Sequence, residues 1–243
     1  MERILSDKNI EPSKIHTFLS IYARYLFYEK KSDKEDIIKE LHAFMISSYP
    51  NYRPADWAVK LETCTKQADK YPLCKCKGIW VTERELQTID DLNDKVLERL
   101  AFTLLCLAKF GNFRNPDNHN WVTYRNSEIY SMACINATAF EQDMKFHKLK
   151  ELGLIEYAKK VNNLNIQVLY TDSDSSETLF ISDFRKLGYE WRLYKGEVYI
   201  RCTDCKILVK NTNGKRKYCK SCGENHNKQK SLQRYHRGKT GNF

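Results

Sequence analysis

The chain has 243 residues, enough for one large domain or two to three small ones. Its apolar share of 42%, with 15 Tyr and 11 Phe, can fill a core, and no apolar run approaches the roughly 18 residues of a membrane span. The net charge is +10, and residues 201–243 carry all of it: 12 Lys and Arg against Asp204 and Glu224, while the first 200 residues hold 29 charges of each sign. A polyanion would therefore meet the C-terminal segment. A solvated basic tail is the plain alternative. No signal-like segment follows Met1. The expectation is a soluble, cytoplasmic protein, with no membrane partner and no small-molecule substrate. In a reducing compartment the nine cysteines are thiols or metal ligands rather than disulfides.

Residues 1–80 read as a small helical domain. Pro12 suits a first helical position, and Ile15, Phe18, Leu19, Tyr22 and Leu26 follow at helical spacing. Ser32 with Glu35 makes a capping box for a second helix bearing Ile37, Ile38, Leu41, Phe44 and Met45, which Pro50 stops. Pro54 can start a third, with Trp57, Leu61, Cys64 and Ala68 inward. Cys64 reads as core packing. Cys74 and Cys76 flank Lys75; with Cys64 and His42 they could hold a second metal, although the spacing does not indicate a fourth ligand.

Residues 81–175 read as a second domain. Thr82 and Glu85 form a capping box, opening one long helix through Val96, Leu97, Leu100, Ala101, Leu104, Leu105 and Ala108 to about Phe110, with Gly111 as its C′ residue. A polar loop, Asn112 to Asn120, precedes a short strand at Trp121-Val122. Helices follow over Asn126 to Ile135 and over 138–152. Ile155 and Tyr157, then Ile166, Val168 and Tyr170, alternate either side of Asn162-Asn163, a hairpin pattern. Asp172 to Glu177 reads as an acidic linker. Ser182-Asp183 can cap a short helix, and Tyr189, Trp191, Tyr194, Val198 and Ile200 read as strand-like.

The order helix, strand, helix, helix, hairpin, with Lys148-Leu-Lys-Glu-Leu-Gly-Leu-Ile155 closing the last helix, resembles winged-helix domains over about residues 92–172. The resemblance implies a reading helix whose exposed face offers Thr138, Glu141, Gln142, Lys145 and Lys148, with Lys159 and Lys160 on the wing. This stretch carries ten bases and nine acids, and Glu141 and Asp143 would face phosphate. Contact with DNA and a structural or protein-binding role both stay open.

Residues 176–243 read as a third domain. Cys202-Thr-Asp-Cys205 and Cys219-Lys-Ser-Cys222 are two Cys-x-x-Cys turns separated by thirteen residues. Two facing turns supply four thiolates to one tetrahedral ion, which suits a single structural Zn²⁺. Asn213-Gly214, between Ile207-Leu-Val209 and Lys217-Tyr218, is a hairpin signal that makes the pair of turns a zinc ribbon. Gly223 would relieve a positive-φ turn. A thioredoxin-like pair lacks its βαβ context; an iron–sulfur cluster is the other group that four cysteines can hold, but this hairpin is a zinc-ribbon feature. The basic residues expected to meet nucleic acid are Lys215, Arg216, Lys217, Lys220, Lys228, Lys230, Arg234 and Arg237. At most a short helix, 227–237, is expected there, with disorder beyond Gly238.

The fold class is thus mainly α with small β. "RLAFTLLCLAKF", "KELGLI", "NLNIQVL", "ISDFRKLGYE" and the closing "IRC-x-x-C … KYC-x-x-C" resemble uncharacterised proteins of phages and mobile elements in low-GC Gram-positive bacteria. That resemblance implies an origin, in a bacterial host cell, and an architecture; the ribbon, the basic tail and the winged-helix pattern lead to the expectation of a non-enzymatic accessory or regulatory protein that binds DNA or RNA. A protein-binding adaptor or inhibitor of a host or defence nucleoprotein complex (anti-CRISPR-like) is the alternative. Asp117-Asn-His119-Asn superficially suggests a nuclease motif but has no partner His or acid at a suitable spacing.

Overall fold

The computed structural model of the chain describes residues 15–70, 73, 76–159, 165–211 and 214–240, with backbone alone for 235–240. Pro12, Cys74, Lys160, Asn162-Asn163 and Asn213 lie outside the described residues, as does the side chain of Arg237. Mixed α and β structure divides into two compact units, Met1–Lys75 and Cys76–Phe243.

The first unit packs α1 (Ile15–Tyr28), α2 (Lys34–Ser48) and α3 (Pro54–Lys66). Their apolar stripes meet, so that Leu19, Ala23, Ile37, Leu41, Met45 and Leu61 lose all solvent access. The Phe18 and Phe44 rings lie 4.8 Å apart in this core. Asp33, not Ser32, caps α2, accepting the Asp36 N–H at 2.8 Å. An aspartate caps as well as a serine, and its charge suits the positive end of the helix. Cys64 is buried among the three helices, which pushes its thiol pKa up. His42 is hydrogen-bonded to the Tyr52 hydroxyl.

The second unit opens with β1 (Ile79–Thr82), α4 (Glu83–Asp90) and α5 (Lys95–Arg114). The Thr82–Glu85 capping box forms. The single helix expected from there to Phe110 is two helices. Asn93 turns left-handed at φ 50°, and the Asp94 carboxylate starts α5 by accepting the N–H groups of Val96 and Leu97. Helix α5 then runs through Gly111, the expected stop, to Arg114. From Leu97 to Ala108 only Arg99 keeps appreciable solvent access, so α5 is surrounded on every side.

Around it stand β2 (Trp121–Val122), α6 (Asn126–Met132), α7 (Ala139–Glu151), β3 (Ile155–Tyr157) and β4 (Ile166–Val168). These strands form an antiparallel sheet in the order β2-β4-β3, with Ile155 opposite Val168 and Trp121 opposite Gln167. Helix α6 ends three residues before Ile135, because Cys134 turns left-handed at φ 55°. Thr138 and Glu141, expected on a reading face, are the reciprocal cap of α7.

Beyond Tyr170 the expected linker is ordered structure. Asp172 donates its N–H to the buried Glu85 carboxylate at 2.8 Å, and both Glu85 oxygens bind Lys109 Nζ, at 2.7 and 2.6 Å. The Ser175 hydroxyl is the main reason that the Asp172 carboxyl titrates down at about 2. Strand β5 (Glu177–Ile181) pairs antiparallel with β1, Trp80 opposite Phe180, so the division expected at 175/176 is bridged by strand pairing. Helix α8 (Leu187–Tyr194) replaces the expected strand. Leu187, Glu190 and Trp191 are its buried side, at i, i+3 and i+4. The Trp191 ring lies 5.3 Å from Phe102, and its Nε1–H donates to Glu98 at 3.0 Å. This helix fits only because residue 188 is glycine: a Cβ there would come within 1.8 Å of the Ala133 carbonyl oxygen.

Gly188→Ala therefore forces α8 away from Ala133. Urea unfolding is expected to show a loss of about 3 kcal/mol, at the upper end for overpacked cores. An unchanged midpoint would mean that α8 does not pack as described.

Candidate metal centre

The hairpin that carries the first cysteine pair is β6 (Tyr199–Arg201) with β7 (Leu208–Lys210), Tyr199 opposite Lys210 and Arg201 opposite Leu208. Cys202 and Cys205 sit in the loop between these strands. The Cys202 N–H donates to Ile207 O and the Lys206 N–H to Cys202 O, both at 2.9 Å, and Lys206 takes φ 62° to close the loop.

The second pair stands at the start of α9 (Lys220–Thr240). Cys219 directly precedes the helix, and Cys222 lies in its first turn. The Cys222 N–H points at Cys219 Sγ, 3.5 Å away, so the sulfur occupies a capping position at the positive end of the helix. The two halves are joined by Thr203, whose N–H and hydroxyl both donate to Lys217 O, at 3.0 and 3.1 Å.

The ligand atoms of Cys202, Cys205, Cys219 and Cys222 all lie within 4.8 Å of one another. Cys205 and Cys219 approach to 3.7 Å. Ligand bonds of about 2.3 Å to a tetrahedral ion set its sulfurs about 3.8 Å apart, so the four residues fit one metal ion. The four thiols do not titrate alike. Burial raises Cys202, but N–H groups of Cys219, Cys205 and Asp204 outweigh it and bring the thiol to about 6. Cys222 is pushed up to about 12, first by its hydrogen bond to Cys219 and then by burial. Four thiolates this close repel one another; a cation among them removes the conflict. Among the described residues no other group of three or more such ligands forms. Cys64 is in the core of the first unit, and the Cys76 thiol donates to Gly78 O at 3.4 Å.

Side chains outside the cysteines fix this centre to the body of the unit. Arg185 binds Asp183 and donates to Cys205 O at 2.8 Å. Arg201 Nη2 donates to both carboxylate oxygens of the buried Glu190 of α8, at 2.9 and 3.0 Å. His226, one turn beyond Cys222, reaches back to Asp204 at 2.8 Å and packs on Tyr218, ring centres 4.3 Å apart.

Three local expectations change. The hairpin lies around the first cysteine pair rather than between the pairs, and residues 215–218 form no strand. Lys217 instead turns its carbonyl to Thr203 in the first cysteine loop. Gly223 is helical and donates its N–H to Cys219 O at 2.9 Å. Lys206 takes the left-handed conformation instead. Finally, the helix expected over 227–237 begins seven residues earlier and reaches Thr240. The run Glu224 to Arg237 contains no Gly or Pro and is rich in Lys, Gln and Arg, the composition that could have revealed this.

The basic residues fall into two places. Lys215, Arg216 and Lys217 are exposed between β7 and α9, and Lys220, Lys228, Lys230 and Arg234 are exposed on α9. Arg216 is tied to Tyr218 O at 3.1 Å. Lys145 and Lys148 belong to α7, where Lys148 pairs with Glu151 at 3.4 Å, and Lys159 follows β3. His119 sits in a turn held by its asparagine neighbours: Asn118 donates to Asn112 Oδ1 at 3.1 Å, and Asn112 to Asn120 Oδ1 at 2.6 Å. Among known proteins, no family model, curated protein or solved structure matches the chain. No helix among the described residues is long and apolar enough to cross a membrane.

Cys222→Ala is expected to lower metal content from about one ion per chain to roughly none, because three thiolates leave the ion open to water. Far-UV circular dichroism should then lose the signal of α9, and trypsin should cut between Lys215 and Arg234. Full metal occupancy in this variant would rule out the four-sulfur site.

Proposed function

We propose that the protein binds nucleic acid, as an accessory or regulatory factor of a phage or mobile element, and that its metal is one structural zinc ion. The observation that carries this reading is the exposed basic helix that begins inside the metal centre. The segment around it holds all the net charge of the chain, and every described side chain of α9 beyond His226 is open to solvent. Phosphate contacts by exposed Lys and Arg supply most of the affinity of such proteins. Zinc is favoured over an iron–sulfur cluster because a cluster interposes several metal atoms and spreads its thiolates further than these four. Four sulfurs also fill the coordination sphere of a single ion, which suits a structural rather than catalytic role.

The body supports a winged-helix reading of residues 92–172 through its order α5, β2, α6, α7, β3, β4 and its three-stranded sheet. Lys145, Lys148, Lys159 and Lys160 would be its DNA contacts. Against that use of α7 stand Phe140 and Met144, 74% and 54% exposed beside Glu141 and Asp143. These favour a second reading, in which α7 docks a protein partner and the chain acts as an adaptor or inhibitor of a host nucleoprotein complex.

With about five phosphate contacts, affinity for duplex or single-stranded nucleic acid should fall roughly 100- to 1,000-fold between 50 and 200 mM salt. Fluorescence anisotropy over a salt series checks this, and binding that ignores salt or is undetectable overturns the proposal. For the second reading, affinity capture from nuclease-treated lysate should retain one stoichiometric protein that Phe140→Ser with Met144→Ser releases. Retention by that double variant excludes docking through α7.

A further inference from the structure

A cavity of about 470 Å³ lies between the first turns of α5, the last turns of α8 and the turn that joins α4 to α5. Lys95, Glu98 and Arg99, at i, i+3 and i+4, line it from α5, and Trp191, Arg192 and Lys195 line it from α8. No local motif marks it in the sequence, because its two walls come from segments far apart in the chain.

Most of its charges are matched within the protein. Lys195 pairs with Asp90, and Arg192 Nε with Glu197 at 2.7 Å. Glu98, 8% exposed, accepts the Trp191 indole N–H on Oε2. Two cations are left over: among the described residues neither Lys95 nor Arg99 forms an ion pair. Arg99 donates to backbone carbonyls, Nε to Lys95 O at 3.0 Å and Nη1 to Cys134 O at 2.8 Å. Burial, and then the Arg192 guanidinium nearby, pull its pKa below the usual arginine range. A partly buried cation beside a like charge is stabilised by an anion that reaches both. Glu98 Oε1, on the same wall, has no donor among the described residues and can accept one.

We propose that this cavity binds a mononucleotide, with its phosphate between Arg99 and Arg192 and an N–H edge of its base on Glu98. Guanidinium groups bind phosphate through paired N–H bonds, and each of the two arginines keeps N–H groups beyond those used within the protein. Lys95 adds charge at the entrance. A carboxylate accepts from base amino groups, as it does from N4 of cytosine. The volume falls in the range of about 300–1,000 Å³ that suits ligands of this size. A free amino acid could place its carboxylate on Arg99 and its ammonium on Glu98, but it would leave most of that space to water.

The test titrates the full, zinc-loaded chain by calorimetry with the 5′-monophosphates of adenosine, guanosine, cytidine and uridine, with inorganic phosphate and with glutamate. One nucleotide is expected to bind once per chain with a Kd below about 100 μM, at least about tenfold more tightly than phosphate or glutamate. Arg99→Gln and Arg192→Gln should each weaken it at least about tenfold, the loss of a charge-assisted bond. Lys95→Ala, at an exposed position with no ion pair to lose, should weaken it about threefold without changing the thermal midpoint. Glu98→Gln should bring the four nucleotides within about threefold of one another. Lys228→Ala with Lys230→Ala, on the basic helix away from the cavity, should change nucleotide affinity by less than about twofold. Four outcomes overturn the inference: no nucleotide bound more tightly than phosphate, glutamate bound as tightly, affinity unchanged in folded Arg99→Gln and Lys95→Ala chains, or binding lost in the Lys228 and Lys230 variant. Each of them leaves nucleic-acid binding by the C-terminal segment standing.

Discussion

Four sulfur atoms within 4.8 Å of one another cannot all carry charge unless something positive lies between them. The C-terminal segment is built around that constraint. It is short and strongly basic, and its hairpin and helix share few apolar contacts. Metal–thiolate bonds, worth about 10–16 kcal/mol in small zinc-dependent domains, can supply the folding energy that hydrophobic burial does not. Because two of the sulfurs belong to the first turn of α9 and its N-cap, an ion held by the four cysteines would both close the hairpin loop and fix where the helix starts and points. Asp204 with His226, and Thr203 with Lys217, then tie the two halves directly.

The rest of the second unit supports this centre through α5. A helix buried on all sides needs covering from several directions, and the chain supplies it from distant segments. The β2-β4-β3 sheet and α7 cover part of it, and α8 another part through Trp191 and Phe102. The charges drawn into this core are matched. Glu85 has Lys109 and the Thr82 and Asp172 N–H groups, Glu98 has the Trp191 indole, and Glu190 has Arg201. Unmatched, each would cost several kcal/mol. The Glu190–Arg201 pair leads from this core to the hairpin, so burial in the body reaches the metal centre by way of α8.

Charge and exposure divide the chain into surfaces of different kinds. The first 200 residues are neutral, and the most exposed helix among them, α7, pairs Phe140 and Met144 with acids. All the net positive charge follows residue 200. The segments that would meet a polyanion and a protein partner are thus different.

The sequence by itself determined which four cysteines come together, since Cys-x-x-Cys spacing is local chemistry: a tight turn that brings two sulfurs close needs no distant residue. It determined the helices of the first unit, the Thr82–Glu85 cap, and the hairpin at Ile155 and Ile166, because caps and apolar periodicity act within a few residues. Only the tertiary structure decided what depended on long-range partners. Glu177–Ile181 carries no strand signal strong enough to stand alone, and becomes one because β1 lies across from it. Tyr189 and Trp191 alternate like a strand, yet they are helical because Trp191 fills a place beside Phe102 that only a helix pressed onto Ala133 at Gly188 can reach. The start of α9 depends on Cys219 and Cys222, which come together with the hairpin loop: the Cys222 N–H meets Cys219 Sγ in the first turn that a helix needs before it can propagate.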